Sequence, residues 1–364
     1  MNNLLHQLLE EGVTNLVFPG AAAAIASGSG LARRRIFAFA GQMDSQDRLP
    51  VTAATLFDLA SLSKALSTAL LCFSLFEQGR VKPDDCLSEL LPDTLPRDKR
   101  AITLRSLLSH SAGFAAYQPW FKDFAPVQCP ENKTTLLELI LNEPLAYTPG
   151  SRCLYSDLGY ILLGSIIETL TGTDVAVSFR ERVAAPLGVE QEIFYQPAAA
   201  QETRCAATED CSWRGRVMKG EVHDEHCWLL GGVAGHAGLF GTAAGVLRLC
   251  EALLDGWKGR ERNCGWAAVL PQALQRQLAH QTWCMGFDTP TAGASSSGSF
   301  FAPSSVGHLG FTGTSFWIDP ERELIVVLLS NRVHPSRENI RIRQFRPRFH
   351  DAAATRFRPA FLAA

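Results

Sequence analysis

Ser61 and Lys64 stand three residues apart in Phe57-Asp58-Leu59-Ala60-Ser61-Leu62-Ser63-Lys64-Ala65. If this stretch opens a helix, the two side chains share one face, one turn apart. A serine hydroxyl is a weak nucleophile until a base takes its proton. A nearby amine is such a base if its charge is suppressed. Burial and the positive end of a helix dipole both push a lysine that way. The same pattern also arises at ordinary helix starts. Its meaning therefore depends on what else the chain supplies.

Two later stretches supply candidates. Tyr155-Ser156-Asp157 lies in the loop before an apolar helix, and His308-Leu309-Gly310 opens a strand. Read alone, Tyr155 fits a buried tyrosine at a helix start, and His308 fits a strand histidine satisfied by backbone. A phenol titrates near 10, so Tyr155 needs neighbouring cations to act as a base.

In order and separation, the three sets resemble those of the penicillin-recognising serine hydrolases. These are the class C β-lactamases, D-Ala-D-Ala carboxypeptidases and related esterases. Their motifs are Ser-x-x-Lys, Tyr-x-Asn and Lys/His-x-Gly, and a related set marks other branches. The blocks Ile102 to Gly113, Pro149 to Gly172 and His308 to Asn331 carry the likeness further, over about residues 17–335. The resemblance implies an α/β (α+β) fold: a central antiparallel sheet flanked by helices, with an inserted all-helical lobe and the site between the lobes. It implies that Ser61 is acylated and that Lys64 holds or exchanges its proton. Tyr155 would be the general base, assisted by Lys64 and by a protonated His308. Backbone N–H groups of Ser61 and Phe311 would form the oxyanion hole. Gly310 would leave room for the substrate, and no cofactor or metal is expected.

Two positions depart from that pattern. Asp157 stands where an asparagine is usual, and a carboxylate cannot donate to a substrate carbonyl. It would repel an anionic substrate, or else pair with Lys64 and keep that lysine charged. His308 stands where class C β-lactamases have lysine, and a neutral imidazole attracts a carboxylate less strongly. Both changes favour ester, amide or D-peptide chemistry over β-lactam turnover. Arg332, after the last strand, is a candidate for an anionic substrate group.

The elements that must hold these groups follow from the hydrophobic pattern. Residues 1–11 read as a short amphipathic helix. Leu16 to Ala26 and Arg35 to Gly41 read as paired strands. The serine helix runs through Leu66, Leu70 and Phe73 to a stop at Gly79. Residues 81–200, punctuated by Pro83, Pro92 and Pro96, read as an all-helical insertion; it includes a helix from Leu158 to Leu170 stopped at Gly172. The Gly-rich run Gly231 to Gly241 requires close backbone approach, and Thr242 caps a helix to about Leu254. Gly293 to Ser299 reads as a flexible loop. Gly310 to Ile318 and Glu323 to Ser330 form a hairpin about Asp319 to Arg322. The division is an α/β domain of residues 1–80 and 225–364 and a helical domain of residues 81–224.

The chain has 364 residues, is 46% hydrophobic and carries net charge −2, with 34 basic and 36 acidic residues. It has no domain-wide basic field for nucleic acid, and no apolar run long enough for a membrane span. The arginines from Arg341 to Arg358 read as a solvated or packed surface. The start lacks the features of a signal peptide and the ten cysteines form no Cys-x-x-Cys pair, so the expectation is cytoplasmic with reduced thiols; a truncated native start would leave the periplasm open. Ser63 has nothing basic three residues on, so it is not read as the nucleophile. His110 reads as structural, and His236 as part of the cleft rim. His223-Asp224-Glu225-His226 lacks a clear third metal ligand. The reading is a serine hydrolase acting on small esters, amides or peptides, with a transacylase as its close variant. The alternative class is a non-catalytic binding protein of the same fold. Oligomeric state is left open.

Overall fold

The computed structural model describes residues 2–46, 48–91, 95–261 and 264–356; Pro92 and Arg358 lie outside them. The strands are β1 (Gly20–Ser27), β2 (Arg34–Gly41), β3 (Phe57–Asp58), β4 (Ile193–Tyr195), β5 (Asp210–Cys211), β6 (Arg216–Val217), β7 (Leu239–Gly241), β8 (Val306–Leu309), β9 (Ser315–Asp319) and β10 (Leu324–Ser330). The helices are α1 (Asn2–Thr14), α2 (Leu70–Glu77), α3 (Leu87–Leu90), α4 (Leu104–Leu108), α5 (Pro130–Asn142), α6 (Asp157–Thr171), α7 (Val175–Phe179), α8 (Glu225–Leu229), α9 (Ala243–Trp257), α10 (Leu270–Ala273) and α11 (Ile342–Arg356).

The main sheet is antiparallel, in the order β2-β1-β10-β9-β8. Its two central strands are apolar on both faces, and the period of two divides them cleanly. Ala21, Ala23 and Ile25, with Val326 and Leu328, face Leu5 and Leu9 of α1 and Phe345 and Phe349 of α11. Ala22, Ala24 and Ala26, with Ile325 and Val327, face Val246 and Leu253 of α9 and the apolar side of the serine helix. The run of alanines lets helices settle closely on both sides of this sheet.

A second sheet, β3-β7-β4, carries the chain into Ser61. The helical insertion ends at Leu187. Residues 193–224 hold β4, β5 and β6 and are therefore not part of a helical unit. The sequence hides this, because strands of two or three residues are too short to show a period. The hairpin of β9 and β10 turns at Asp319 to Arg322 as expected, but β9 starts at Ser315. His308 belongs to the preceding edge strand, β8, opposite Phe316. The loop at 293–299 is seated on α11: Ser297 is buried, and a Cβ on Gly298 would strike the Asp351 side chain.

Candidate active site

Ser61 sits just past a tight turn. Ala60 has a positive φ of 48°, costly for a residue with a side chain. The turn is clamped by Asp58, whose carboxylate accepts from the N–H of Ala60 at 2.8 Å and of His223 at 2.6 Å. After Ser61 the chain enters a wide helical turn over Lys64–Ala69 that continues into α2. This brings Lys64 Nζ within 3.0 Å of Ser61 Oγ.

Lys64 is fully buried. Its Nζ donates to Ser61 Oγ and to the His236 carbonyl at 2.9 Å, and it forms an ion pair with Asp157 Oδ1 at 2.7 Å. The Tyr155 oxygen lies within interaction range of the same amine. Burial alone pushes this amine down, but the Asp157 carboxylate and the Tyr155 oxygen outweigh it, and its pKa is raised. Of the two readings open from the sequence, the one in which Asp157 pairs with Lys64 and keeps it charged fits this geometry. Asp157 does not act mainly as a repeller of anions; it pairs with Lys64 and keeps it charged.

The Gly-rich run makes the lysine cradle possible. Gly235 lies on α6 so closely that a Cβ there would fall 2.1 Å from the Tyr160 carbonyl. Thr68 Oγ1 donates to the Gly235 carbonyl, and the next residue, His236, turns its carbonyl to Lys64. The His236 ring is instead tied to Asp224 at 2.7 Å.

Tyr155 immediately precedes Ser156, the N-cap of α6. Its ring lies 5.0 Å from Lys64 Nζ, and its phenol interacts with both Lys64 and Ser61. Burial raises the phenol above its ordinary pKa; Lys64 pulls it back down and Asp157 pushes it up. At rest Tyr155 is a neutral phenol. Packed around it are the rings of His110 at 4.6 Å, Trp283 at 5.5 Å and His308 at 6.0 Å.

His308 is buried, with Nδ1 2.8 Å from its neighbour's carbonyl, Leu309 O. A carbonyl only accepts, so Nδ1 carries the proton and Nε2 is bare. Burial, then the charge of Lys64, push its pKa down to about 3. The expected protonated His308 is overturned: the ring is uncharged at neutral pH. His110 is likewise held uncharged by burial, accepting at Nδ1 from the Ser156 N–H at 3.1 Å.

Ser61, Tyr155, Asp157, His308, Gly310, Phe311 and Arg332 all line one cleft of about 580 Å³. Among the described residues, neither the Ser61 nor the Phe311 N–H has a protein acceptor. Gly310 is required for packing: a Cβ there would fall 1.9 Å from Thr314 Oγ1 and 2.7 Å from Leu59 O. That corrects the expectation that it makes room for substrate. Arg332 borders the cleft, but its donors go to the carbonyls of Phe311, Arg337 and Asn339. Ser63 is buried, donating to the Ala60 carbonyl. His223 meets Glu209 at 3.0 Å, and His226 packs on Tyr117 and Phe121. Glu209, Cys211 and Glu225 approach one another as metal ligands would, but Arg337 is bonded to both carboxylates and supplies their countercharge. Trp283 and Asp58 had no signal in the sequence; Asp58 was visible only as a neighbour of Ser61.

The fold and cleft are those of the β-lactamase/transpeptidase class. The family model Beta-lactamase matches residues 5–346, so the chain belongs to the beta-lactamase family. A curated relative, "Putative D-alanyl-D-alanine carboxypeptidase" of Escherichia coli (strain K12), is 32% identical over 323 residues, covering 81% of this chain and 73% of that protein. Among solved structures, a D-alanine carboxypeptidase AmpC from Burkholderia cenocepacia aligns at TM-score 0.70 and 19% identity, over 94% of this chain and 98% of that one. EstCE1, described as a hydrolase with promiscuous acyltransferase activity, aligns at 0.71 and 21%, over 95% and 98%. The LovD6 mutant of simvastatin synthase from Aspergillus terreus aligns at 0.72 and 18%, over 98% and 97%. The solved structures, at 18–21% identity, share the fold, and the family match with the 32%-identical relative supports a hydrolase in the broad sense.

Proposed function

We propose that the protein is an acyl-serine hydrolase of short esters and D-amino-acid amides or peptides, with Ser61 as the acylated nucleophile. The observation that carries this reading is the placement of Ser61 Oγ in the cleft, 3.0 Å from Lys64 Nζ and in contact with Tyr155, beside two unpaired backbone N–H groups.

With Lys64 held charged beside Asp157, the proton acceptor in this reading is Tyr155, as its phenolate. Ser61 Oγ attacks the acyl carbon as its proton passes to the Tyr155 oxygen. The negative charge formed on the carbonyl oxygen is met by the N–H groups of Ser61 and Phe311. Tyr155 then protonates the departing alcohol or amine, leaving an ester on Ser61. Water attacks that ester, Tyr155 takes its proton, and the proton returns to Ser61 as the acid product leaves. Lys64 stabilises the phenolate electrostatically and orients Ser61. The D-peptide part of the proposal draws on the carboxypeptidase name of the 32%-identical relative. The uncharged His308 favours substrates with no carboxylate at that point of the cleft.

Intact-protein mass spectrometry after exposure to a fluorophosphonate tests the assignment. The expected result is one adduct, on the peptide containing Ser61, and none in Ser61→Ala. An adduct retained by that variant places the nucleophile elsewhere; no adduct in the native protein favours the non-catalytic class. Turnover of p-nitrophenyl acetate, p-nitrophenyl butyrate, D-Ala-p-nitroanilide and nitrocefin then ranks the substrate classes.

A further inference from the structure

Each candidate oxyanion donor belongs to a peptide group whose other end is also hydrogen-bonded. The Ser61 N–H shares its peptide with the Ala60 carbonyl, which accepts from Ser63 Oγ at 2.7 Å and from the Ser63 N–H at 3.0 Å. The Phe311 N–H shares its peptide with the Gly310 carbonyl. That carbonyl accepts from Arg346 Nη2 at 2.8 Å and from the Gly313 N–H at 3.2 Å. The same Arg346 nitrogen also donates to the Thr314 carbonyl at 2.8 Å, so one guanidinium grips both ends of the β8–β9 loop.

Arg346 comes from α11, far along the chain, and is 7% exposed. Among the described residues no carboxylate pairs with it, and its Nε has no partner. Burying a cation without a countercharge is expensive, so a guanidinium in this place calls for a reason. Burial and the neighbouring Arg332 push its pKa down to about 9, which still leaves it charged at neutral pH.

A cation on an amide oxygen draws electron density from the nitrogen of the same amide. The N–H becomes more positive and a stronger donor, because linked hydrogen bonds polarise one another. We infer that Arg346 is a positioning residue of the acyl-transfer site: it fixes the Gly310–Phe311 peptide and polarises its N–H toward the charge that develops on the substrate oxygen. Ser63 does the same, without a formal charge, for the Ala60–Ser61 peptide. The inference rests on the acyl-serine reading above.

The test is the infrared carbonyl stretch of an acyl-enzyme. p-Nitrophenyl pivalate labelled with carbon-13 at the carbonyl deposits a bulky, slowly hydrolysed acyl group on an active serine. The stretch falls as the oxyanion donors grip the carbonyl. It is measured in the native protein and in Arg346→Lys, Arg346→Gln and Arg346→Met, with p-nitrophenyl acetate kinetics alongside. In Arg346→Met and Arg346→Gln the stretch moves to higher wavenumber and kcat falls about tenfold with KM unchanged; losing a whole donor costs about 10²–10³. Arg346→Lys, which keeps the charge, stays nearer the native value. A folded Arg346→Gln with the native stretch overturns the inference, even if it is slower, because a merely structural role would alter stability and rate but not the carbonyl. If the Arg346 variants do not fold, Ser63→Ala decides in the same way through the other peptide. Failure of the native protein to form any Ser61 adduct is a different outcome: it removes the acyl-serine reading itself.

Discussion

The two walls of the cleft handle charge in opposite ways. On the nucleophile side, charged groups are internally paired: Lys64 with Asp157 at 2.7 Å and Asp224 with the His236 ring at 2.7 Å. On the oxyanion side, the hydrogen-bond partners of the Arg332 and Arg346 guanidinia among the described residues are backbone carbonyls. The first wall is electrically quenched at rest; the second keeps a positive field where the proposed chemistry creates negative charge. Electrostatic preorganisation of that kind is worth most in a site shielded from water. The contrast locates the difficulty of the reaction in taking the proton from Ser61, and leaves the oxyanion comparatively well served.

The most severe way to break this picture is to remove the proton acceptor. Tyr155→Phe keeps the ring among His110, Trp283 and His308 and deletes only the oxygen. Ester turnover should fall on the order of 10²–10⁴, the range for loss of a general base, while the melting temperature stays near native. A variant that keeps most of its activity shifts the proton to Lys64, and with it the claim that the nucleophile wall is quenched.

How far the sequence carried the argument differs between the same two walls. Ser61, Lys64 and Tyr155 were legible because their chemistry and spacing are specific, and folding does bring them together. The pairing of Asp157 with Lys64 was one of two readings left open, since sequence shows residue type but not which neighbour wins. The charge states of Lys64 and His308 could not be read from the sequence, because each depends on burial and partners in three dimensions. The unbroken apolar run of β1 announced a buried strand. The short strands β4, β5 and β6 left no period to read. Arg346 was visible only as one arginine in a basic helix; nothing local marks it as buried against a loop more than thirty residues earlier.

A milder intervention sharpens the contrast. Asp157→Asn removes the carboxylate that raises Tyr155 and holds Lys64 charged. Both groups then titrate lower, so the base becomes available at lower pH. In the native protein, rate should rise with pH from 7 toward 10, because the active form needs Tyr155 ionised and its pKa lies above the ordinary value. In the variant that limb should move to lower pH, with turnover of neutral esters at pH 7.5 up about tenfold for each unit moved. Anionic β-lactams should gain more, since a negative charge also leaves the cleft. An unmoved limb with equal gains would mean that Asp157 neither tunes the base nor faces the substrate.

The smallest effect concerns a single proton on His308, and it separates the two walls by stability instead of rate. The folded ring stays bare down to about pH 3, held so by burial and by the charge of Lys64. Unfolding returns it to an ordinary value near 6.5, so below that pH the unfolded chain binds a proton that the folded chain refuses. Stability from this ring is therefore complete above about pH 6.5 and drains away as pH falls toward 3, at roughly 1.4 kcal/mol per pH unit. Between pH 6 and pH 5 most carboxylates remain ionised, so the histidines dominate the slope. His308→Gln should flatten the dependence of unfolding free energy on pH in that window by close to one proton, measured by urea unfolding at each pH. An unchanged slope would mean the native ring already carries a proton beside Lys64. Its charge would then belong to the cleft's positive field, and the asymmetry between the walls would no longer rest on Arg332 and Arg346 alone.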